Sequence, residues 1–296
     1  MELKNKFTIS ICTRNRENDL KKCIESIAKQ EIKFKCKIEV LIVDDGELSN
    51  EYMLDIKNIL NRFEVRYYKK ENLGLYLSRL KSIELAKGDI ILFLDDDVVL
   101  ESDYINNALE VYEKHPCIAG VGGVDIILPR YSIFRTIYTS LFLYRSYNIG
   151  KLSITGLNSS MNQWINQKTI FKTEYFNGCN MSFKKGAIKN LPAVEFFNNY
   201  SLGEDLFISL YANKNGKLLV NPNMKVKHFQ TSISRDKLEN ISKMKVINHY
   251  KMLPYLKSGK MKYILIYWTY LGMLLASLLK RDFKEVSGYL QGLKSI

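Results

Sequence analysis

"GDIILFLDDDVVL", residues 88–100, sets three consecutive aspartates directly after five apolar residues. The apolar run at residues 90–94 predicts a buried strand, so Asp95, Asp96 and Asp97 stand at its carboxyl end. Adjacent carboxylates repel one another, and a fold that keeps all three needs a cation, a proton or full solvation to offset the repulsion. Side chains alternate along a strand, which predicts that Asp95 and Asp97 share one face and that Asp96 points to the other.

Short apolar runs alternate with helical patterns through the first half of the chain. The predicted strands are residues 7–12, 39–43, 65–68 and 90–94, and the predicted helices are 18–29, 51–61 and 75–86. Strands that are apolar throughout are buried on both faces. The fold class is therefore α/β, a mostly parallel sheet with helices on both faces. Ligands bind such sheets beyond the carboxyl ends of the strands.

Two more polar clusters follow the first and second predicted strands, "TRNR" at residues 13–16 and "DDG" at residues 44–46. One such cluster fits a helix cap or a solvated turn, but three at one sheet edge favour a ligand site. Two carboxylates separated by one residue offer oxygens to a divalent metal, Mn²⁺ or Mg²⁺, which is the usual partner of a diphosphate. A solvated acidic turn and a phosphoacceptor aspartate are the alternatives.

A second acidic pair begins a predicted helix at residues 202–213, which is followed by a predicted strand at 217–227. Glu204 and Asp205 there either interact with the helix dipole or supply a general base for an acceptor hydroxyl. His228 closes the strand, and it is either structural or a third metal ligand beside Asp97.

Composition describes a folded protein with an uneven charge. The chain has 296 residues, 46% of them hydrophobic and 12% aromatic, and a formal net charge of +13. Residues 231–296 hold 12 basic and four acidic residues, so this tail contributes +8 of the +13. The five cysteines are scattered without a CxxC pair, which argues against a disulfide framework or a zinc site and favours a reducing compartment. The first residues lack an apolar signal core, and the body of the protein is expected in the cytoplasm.

The ordered set of motifs resembles glycosyltransferase family 2, whose members are inverting enzymes with the GT-A fold. The resemblance rests on "SICTRNRENDLKKCIESIAKQ" (10–30), "EVLIVDDGELSN" (39–50), "GDIILFLDDDVVLESDYINNAL" (88–109), "YFNGCNMSFKKGAI" (175–188) and "GEDLFISLYANKNGKLLVNPNMKVKH" (203–228). It implies a catalytic domain at residues 1–230, with a nucleotide-sugar half at about 1–125 and an acceptor half at about 126–230.

The resemblance also implies roles on the donor side. The nucleotide pocket would be lined by Thr13, Arg14 and Arg16. Asp45 would hydrogen-bond the base of a nucleoside diphosphate sugar, such as a UDP-sugar, and Asn180 would lie beside the sugar and the acceptor. The implied donor-binding residues are Thr13, Arg14, Arg16, Asp45, Asp95, Asp96 and Asn180.

For the chemistry, the resemblance implies a single displacement with inversion. Asp95 and Asp97 would be the DxD motif, with Asp97 the main ligand of Mn²⁺ or Mg²⁺ and His228 a further ligand. Asp205 would be the catalytic base, and Glu204 would support it or touch the acceptor.

Two departures from the family pattern narrow the interpretation. The usual "GGFDE" stretch is replaced by "LPAVEFFNNYSLGED" at residues 191–205. No QxxRW motif follows, and this absence favours transfer of one sugar per encounter over processive synthesis. A nucleotidyltransferase that makes sugar nucleotides and a catalytically silent membrane-bound scaffold are the alternative functions. Nucleic-acid binding is disfavoured because the basic residues surround an apolar segment.

That apolar segment, "YILIYWTYLGMLLASLL" at residues 263–279, carries no charge over 17 residues. As a helix it would be about 25 Å long, short of the ~30 Å hydrocarbon core of a bilayer. Its basic flanks and its Tyr and Trp side chains favour contact with an anionic membrane, on the cytoplasmic face, over a full span. Packing on the catalytic domain or an oligomer interface are the alternatives. A membrane location favours a lipid-linked or cell-surface glycan precursor as acceptor.

Overall fold

One continuous sheet joins both halves of the chain, and its first four strands are parallel. The structure is a computed structural model that describes residues 6–71, 73–158, 160–197, 201–230 and 237–296. The first four strands lie in the order β3-β2-β1-β4. Their bounds are β1 Phe7–Thr13, β2 Ile38–Asp44, β3 Glu64–Lys69 and β4 Ile90–Asp95. All four were predicted within a few residues, because apolar strands buried on both faces leave a strong signal.

The parallel register brings the polar clusters together. Cys12 pairs with Asp95 across β1 and β4, and Thr13 pairs with Asp44 across β1 and β2. The residues that follow each strand therefore emerge at the same edge of the sheet. The predicted convergence of these clusters is present in the fold.

Beyond β4 the sheet is mixed instead of mostly parallel. Its remaining strands are β5 Val98–Leu100, β6 Ile118–Asp125, β7 Phe171–Thr173, β8 Asn180–Lys184 and β9 Lys217–His228. β8 lies antiparallel to β4 and β6, β9 is parallel to β6, and β5 and β7 pair antiparallel with β9. The β5–β9 pairing sets His228 opposite Val98, directly after the three aspartates. The sequence could not predict this pairing because its partners lie 130 residues apart in the numbering.

Helices cover both faces of the sheet. They are α1 Glu17–Ala28, α2 Asn50–Ile59, α3 Leu75–Leu85, α4 Tyr104–Lys114, α5 Ile133–Leu141, α6 Lys185–Ile188, α7 Glu204–Ala212, α8 Leu238–Met252, α9 Lys262–Leu279 and α10 Phe283–Leu293. Capping side chains mark the starts of α2 and α5, where the Ser49 and Ser132 hydroxyls accept backbone N–H groups of the first turn. Consecutive residues of β4 pack into different cores on the two faces of the sheet. Leu92 packs on the α1 side, and Phe93 packs on the side of α3 and α7.

The basic tail does not stand apart from the rest of the molecule. The predicted boundary at residue 231 falls on residues 231–236, which lie outside the described residues. Val246 of α8 and Ile266 and Tyr270 of α9 belong to the same buried cluster as Phe93 of the sheet. Residues 238–293 therefore complete one face of the sheet unit, and α9 is anchored along one side.

Candidate active site

The polar clusters line one cleft of about 630 Å³ at the carboxyl edge of the parallel strands. Ten of the eleven predicted site residues line it, namely His228 and Thr13, Arg14, Arg16, Asp45, Asp95, Asp96, Asp97, Glu204 and Asp205. Residues 73–79 and 177–179 close its remaining walls. The cleft thus joins the two acidic motifs that lie about a hundred residues apart in sequence.

Asp95, Asp97 and His228 form a compact set of metal-type donors. Their ligand atoms all lie within 4.8 Å of one another. His228 Nε2 lies 3.0 Å from Asp97 Oδ1 and 3.9 Å from Asp95 Oδ2. Two carboxylates and one imidazole suit a divalent ion such as Mn²⁺.

The protonation of His228 reflects its acidic surroundings. Burial by itself lowers the pKa of His228, but hydrogen bonds to Asp97 and Cys179 and the negative charge of Asp95 outweigh burial and raise that pKa to about 11. The imidazole therefore carries a proton when only protein groups surround it. A divalent cation would have to displace this proton, since a ligating histidine is neutral.

Asp96 points away from this trio, towards β1 and the start of α1. Its carboxylate accepts hydrogen bonds from Thr13 Oγ1 at 2.8 Å and from Arg16 Nη1 at 3.0 Å. Asp96 is 2% exposed, and burial raises its pKa to about 6 although the Arg16 charge lowers it. The alternation of the three aspartates follows the prediction, but Asp96 faces Thr13 and Arg16 and holds them in place.

Arg79 connects the two acidic motifs, although the sequence analysis did not single it out. Its Nη1 donates to Glu204 Oε1 at 2.6 Å, and its Nη2 donates to Asp95 Oδ1 at 3.0 Å and to the Gly178 carbonyl at 2.9 Å. Arg79 is 1% exposed. One buried cation therefore fixes the relative positions of the DxD turn and the start of α7.

The acids of α7 differ in how free they are to act. Both line the cleft, but Glu204 is 6% exposed and held by Arg79, whereas Asp205 is half-buried and accepts the Gly178 N–H at 3.1 Å and the Leu206 N–H at 2.8 Å. Burial raises the pKa of both carboxyls, and the Arg79 charge opposes the rise. Asp205 is thus the more accessible carboxylate and a stronger base than an exposed aspartate.

Asp45 lies in the cleft wall that follows β2. Its Oδ1 lies 2.7 Å from Lys70 Nζ, and its Oδ2 accepts the Gly74 N–H at 2.8 Å. The neighbouring Asp44 is instead structural, since it accepts the Gly46 N–H and the Tyr67 hydroxyl. Of the "DDG" pair, only the second carboxylate faces the cleft.

The structure does not support the implied contact between Asn180 and a sugar. Asn180 is fully buried at the start of β8, where its Oδ1 accepts the Gly123 N–H at 2.9 Å and its Nδ2 donates to Cys179 Sγ. It fixes β6 against β8, and Asn177 and Gly178 line the cleft in its place. The physical reason is strand register, because Asn180 pairs with Leu94 inside the sheet.

A signal for Arg79 was present in the sequence. Tyr76, Arg79 and Ile83 fall three and four residues apart on the buried side of α3. A cation on the buried face of an amphipathic helix needs a buried anion, and this could have marked Arg79. No comparable local signal exists for Lys70, whose partner comes from another strand.

The family model for glycosyl transferase family 2 matches residues 8–185, more than half of the chain. The chain belongs to glycosyltransferase family 2. The matched range includes the DxD turn and Arg79, and α7 and His228 lie beyond it.

Curated relatives resemble parts of this family 2 chain. A glucosyl-dolichyl phosphate glucuronosyltransferase of Haloferax volcanii is 31% identical over 126 residues, which cover 41% of this chain and 38% of the relative. The glycosyltransferase GlyA of Streptococcus pneumoniae is 29% identical over 124 residues, 41% of this chain and 17% of the relative. The chain therefore matches less than two fifths of the length of either.

Solved structures share the fold of the family 2 chain over nearly its whole length. The mannosyltransferase PcManGT from Pyrobaculum calidifontis, in complex with GDP-Man and Mn²⁺, has a TM-score of 0.58 at 16% identity and covers 98% of this chain and 74% of its own. S. aureus TarS 1–349, in complex with UDP-GlcNAc, has a TM-score of 0.53 at 14% identity and covers 98% and 92%. The fold is GT-A, as the resemblance implied.

Proposed function

We propose that the chain is a metal-dependent inverting glycosyltransferase that moves one sugar from a nucleoside diphosphate sugar to an acceptor hydroxyl. One observation carries the proposal: the metal-type trio and the carboxylate of Asp205 line the same cleft, where Arg79 bonds both Asp95 and Glu204, the neighbour of Asp205. A transferase of this kind needs charge stabilisation for a leaving diphosphate on one side and a base for a nucleophile on the other.

The donor set fits a divalent cation. Asp95, Asp97 and His228 would hold Mn²⁺ or Mg²⁺, since their donor atoms already converge and two of them are hard oxygens. When bound, the ion supplies positive charge that stabilises the leaving diphosphate. Arg16 lies beside the same turn, with its Nη1 3.9 Å from Asp97 Oδ2, and adds positive charge from the protein itself.

Asp205 is the proposed base. It takes the proton of the acceptor hydroxyl, and the oxygen then attacks the anomeric carbon as the bond to the diphosphate breaks. Attack from the face opposite the leaving group inverts the configuration. Gly178 and Arg79 contribute by holding Asp205 and Glu204 at the cleft wall.

On the donor side, the proposal assigns the nucleoside to the part of the cleft beside Asp45. Lys70 and the Gly74 N–H orient the Asp45 carboxylate, which can accept a base N–H, and Thr13 and Arg14 form the adjoining wall. A uracil or guanine base presents such an N–H, so UDP-sugars and GDP-sugars both fit this assignment.

For the acceptor, the proposal is a lipid-linked or cell-surface glycan precursor at the cytoplasmic face of a membrane. Support comes from α9, which is long and apolar enough to cross a membrane by length and composition. The H. volcanii relative is named for a dolichyl phosphate substrate. Membrane attachment through the tail would keep the enzyme beside such an acceptor.

A donor screen tests this function. Thermal shift of the full chain with UDP, GDP and their sugars, each with and without Mn²⁺, should give stabilisation that requires both the nucleotide and the metal. Release of nucleoside diphosphate from the stabilising donor should then follow. Synthesis of a sugar nucleotide from a sugar phosphate and a nucleoside triphosphate would instead support the nucleotidyltransferase alternative, and no nucleotide binding at all would support the silent scaffold.

A further inference from the structure

The tail helix α9 has two different sides in the folded chain, although its sequence is apolar all round. Ile266, Tyr270 and Met273 are buried against the catalytic unit. Ile264 and Leu271, on the opposite side, are 66% and 41% exposed. Outward-facing residues recur at helical spacing to the end of α9, so they form one apolar stripe along its length.

α5 also exposes apolar side chains. Ile133, Phe134 and Ile137 are 77%, 85% and 60% exposed and lie on one side of the helix. We call the exposed apolar side chains of α5 and α9, represented by Ile133, Phe134, Ile137, Ile264, Trp268 and Leu271, the α5–α9 face.

Direct contacts make the two helices neighbours. Trp268 Nε1 donates to the Leu141 carbonyl at 2.8 Å, and the Trp268 ring stacks on Phe142 at 5.1 Å between centroids. The Tyr138 hydroxyl donates to the Gly272 carbonyl at 2.6 Å. The carboxyl end of α5 is therefore held against α9, and the two neighbouring helices both expose apolar side chains. Exposed apolar surface on neighbouring elements marks an interaction site on a soluble domain.

The inner side of α9 opposes a membrane span. Thr269 Oγ1 donates to the Phe142 carbonyl at 3.0 Å, the Tyr270 hydroxyl donates to the Val246 carbonyl at 3.1 Å, and Lys262 Nζ donates to the Leu256 carbonyl at 2.7 Å. Withdrawing α9 into a bilayer would break these bonds and leave the polar groups in hydrocarbon. With α9 packed as it is, the face can meet a membrane only along the plane of its surface.

The charges around the α5–α9 face indicate which kind of partner binds to it. Neither α5 nor α9 contains an acidic residue, and exposed cations stand at both ends of α9 and beside α5: Lys260, Lys280, Arg281, Arg130 and Arg135. A second copy of the chain, packed face to face, would set these positive ends against one another in either orientation, which is unfavourable. An anionic lipid surface complements both the apolar centre and the basic border.

We propose that the α5–α9 face is a membrane-docking surface that lies in the plane of an anionic bilayer, with α5 inserting beside α9. This inference rests on the proposed function for its location and adds the second helix and the orientation. It also relates the membrane to the cleft through a single helix, α8, whose Asn248 Nδ2 donates to the Leu202 carbonyl at the cleft wall and whose Val246 carbonyl is bound by α9.

The test uses the tryptophans of the full chain and mixed phosphatidylglycerol–phosphatidylcholine vesicles. Trp268 is 43% exposed on the face and Trp164 is 2% exposed in the core, so vesicle insertion should shift Trp268 emission to the blue and leave Trp164 unchanged. Ile133→Glu/Phe134→Glu should lower the vesicle partition coefficient at least about tenfold, since burial of one such apolar side chain is worth about that factor. Leu54→Glu on α2, at a residue 59% exposed, is the matched control and should partition as the wild type does.

Several outcomes would overturn the inference. Equal partition of Ile133→Glu/Phe134→Glu and the wild type removes α5 from the surface, and equal binding to pure phosphatidylcholine removes the requirement for anionic lipid. A dimer in solution that the double variant dissociates, without vesicle binding by the wild type, assigns the face to a second copy. UDP or GDP thermal shift with Mn²⁺, measured on the same variants, reports on the proposed enzyme separately, because neither substitution touches the cleft.

Discussion

Arg79→Met should destabilise the chain by about 3–5 kcal/mol at pH 7, the usual cost of removing one partner of a buried ion pair. Most of that cost falls on Glu204, whose side chain is 8% exposed and whose Oε1 lies 2.6 Å from Arg79 Nη1. Asp95, at 3.0 Å, is 26% exposed and keeps part of its hydration, so its share is smaller. A further Glu204→Gln substitution leaves an unpaired amide, worth about 1–3 kcal/mol, in place of a buried charge. The double variant should therefore be about 2 kcal/mol more stable than Arg79→Met.

Thermal unfolding of the full chain measures these differences. A loss of 3–5 kcal/mol corresponds to about 6–10 °C in Tm at ~2 °C per kcal/mol for a chain of this size. Lys114→Met breaks a surface pair with Glu110, whose side chains are 64% and 46% exposed, and should shift Tm by no more than about 2 °C.

The pH dependence of stability tests the Arg79–Glu204 pair independently. Burial already raises the pKa of Glu204, and loss of the Arg79 charge raises it further. A group whose folded pKa lies above its unfolded value contributes stability below the unfolded pKa and loses it as pH rises. The loss of unfolding free energy in Arg79→Met, relative to the wild type, should therefore be smaller at pH 5 than at pH 8. An unchanged Tm in Arg79→Met, or no recovery in the double variant, would refute the assignment of Arg79 as the counter-ion of Glu204.

Three further predictions concern the chemistry of the cleft. Asp97→Asn should abolish Mn²⁺-stimulated transfer and Mn²⁺-dependent nucleotide binding; retained stimulation would remove the metal assignment. Asp205→Asn should keep nucleotide-sugar binding but lower turnover by about 10²–10⁴, the range for loss of a general base, and lost binding would point to a donor-side role. Because burial raises the pKa of Asp205, turnover should fall on acidification at a higher pH than the ordinary aspartate value of 3.8, and a plateau down to that pH would argue for another base.

The structure also changes how the tail should be tested. Removing residues after 257 would seem a direct test of membrane binding, but it would expose the core at Phe142 and Val246, which α9 covers. Loss of co-sedimentation with vesicles in such a truncated chain would then report unfolding as well as loss of membrane binding. Substitutions at outward residues such as Phe134 keep the buried contacts intact and are the cleaner choice.

Some of the cleft could be predicted because its signals are local. The run of apolar residues before Asp95 marks a strand end, and the repeated pattern of strand followed by helix places three such ends at one edge. Family motifs supplied the roles, and the match over residues 8–185 confirms the family itself. The proposed roles of Asp97, Asp205 and His228 remain predictions until the variants are measured.

Other parts depended on pairings between distant segments. Asn180 matched a family motif, yet its register against Leu94 turns its side chain into the sheet and away from the cleft. Arg79 bonds Asp95, 16 positions away, and Glu204, 125 positions away, and no local pattern encodes both partners. Sequence motifs identify residue types, but the strand register decides which side chains reach the ligand.

The sequence by itself determined the family, the strand-and-helix order of the first half and the acids that could do chemistry, because apolar periodicity and short motifs act over a few residues. Only the tertiary structure decided that Arg79 holds the two acidic motifs together and that Asp96 serves Thr13 and Arg16. It also decided that α9 is buried on one side and joined by α5 on the other. An apolar segment looks the same from the sequence whether it spans, packs or docks; which of its sides remains exposed is set by the elements that fold against it.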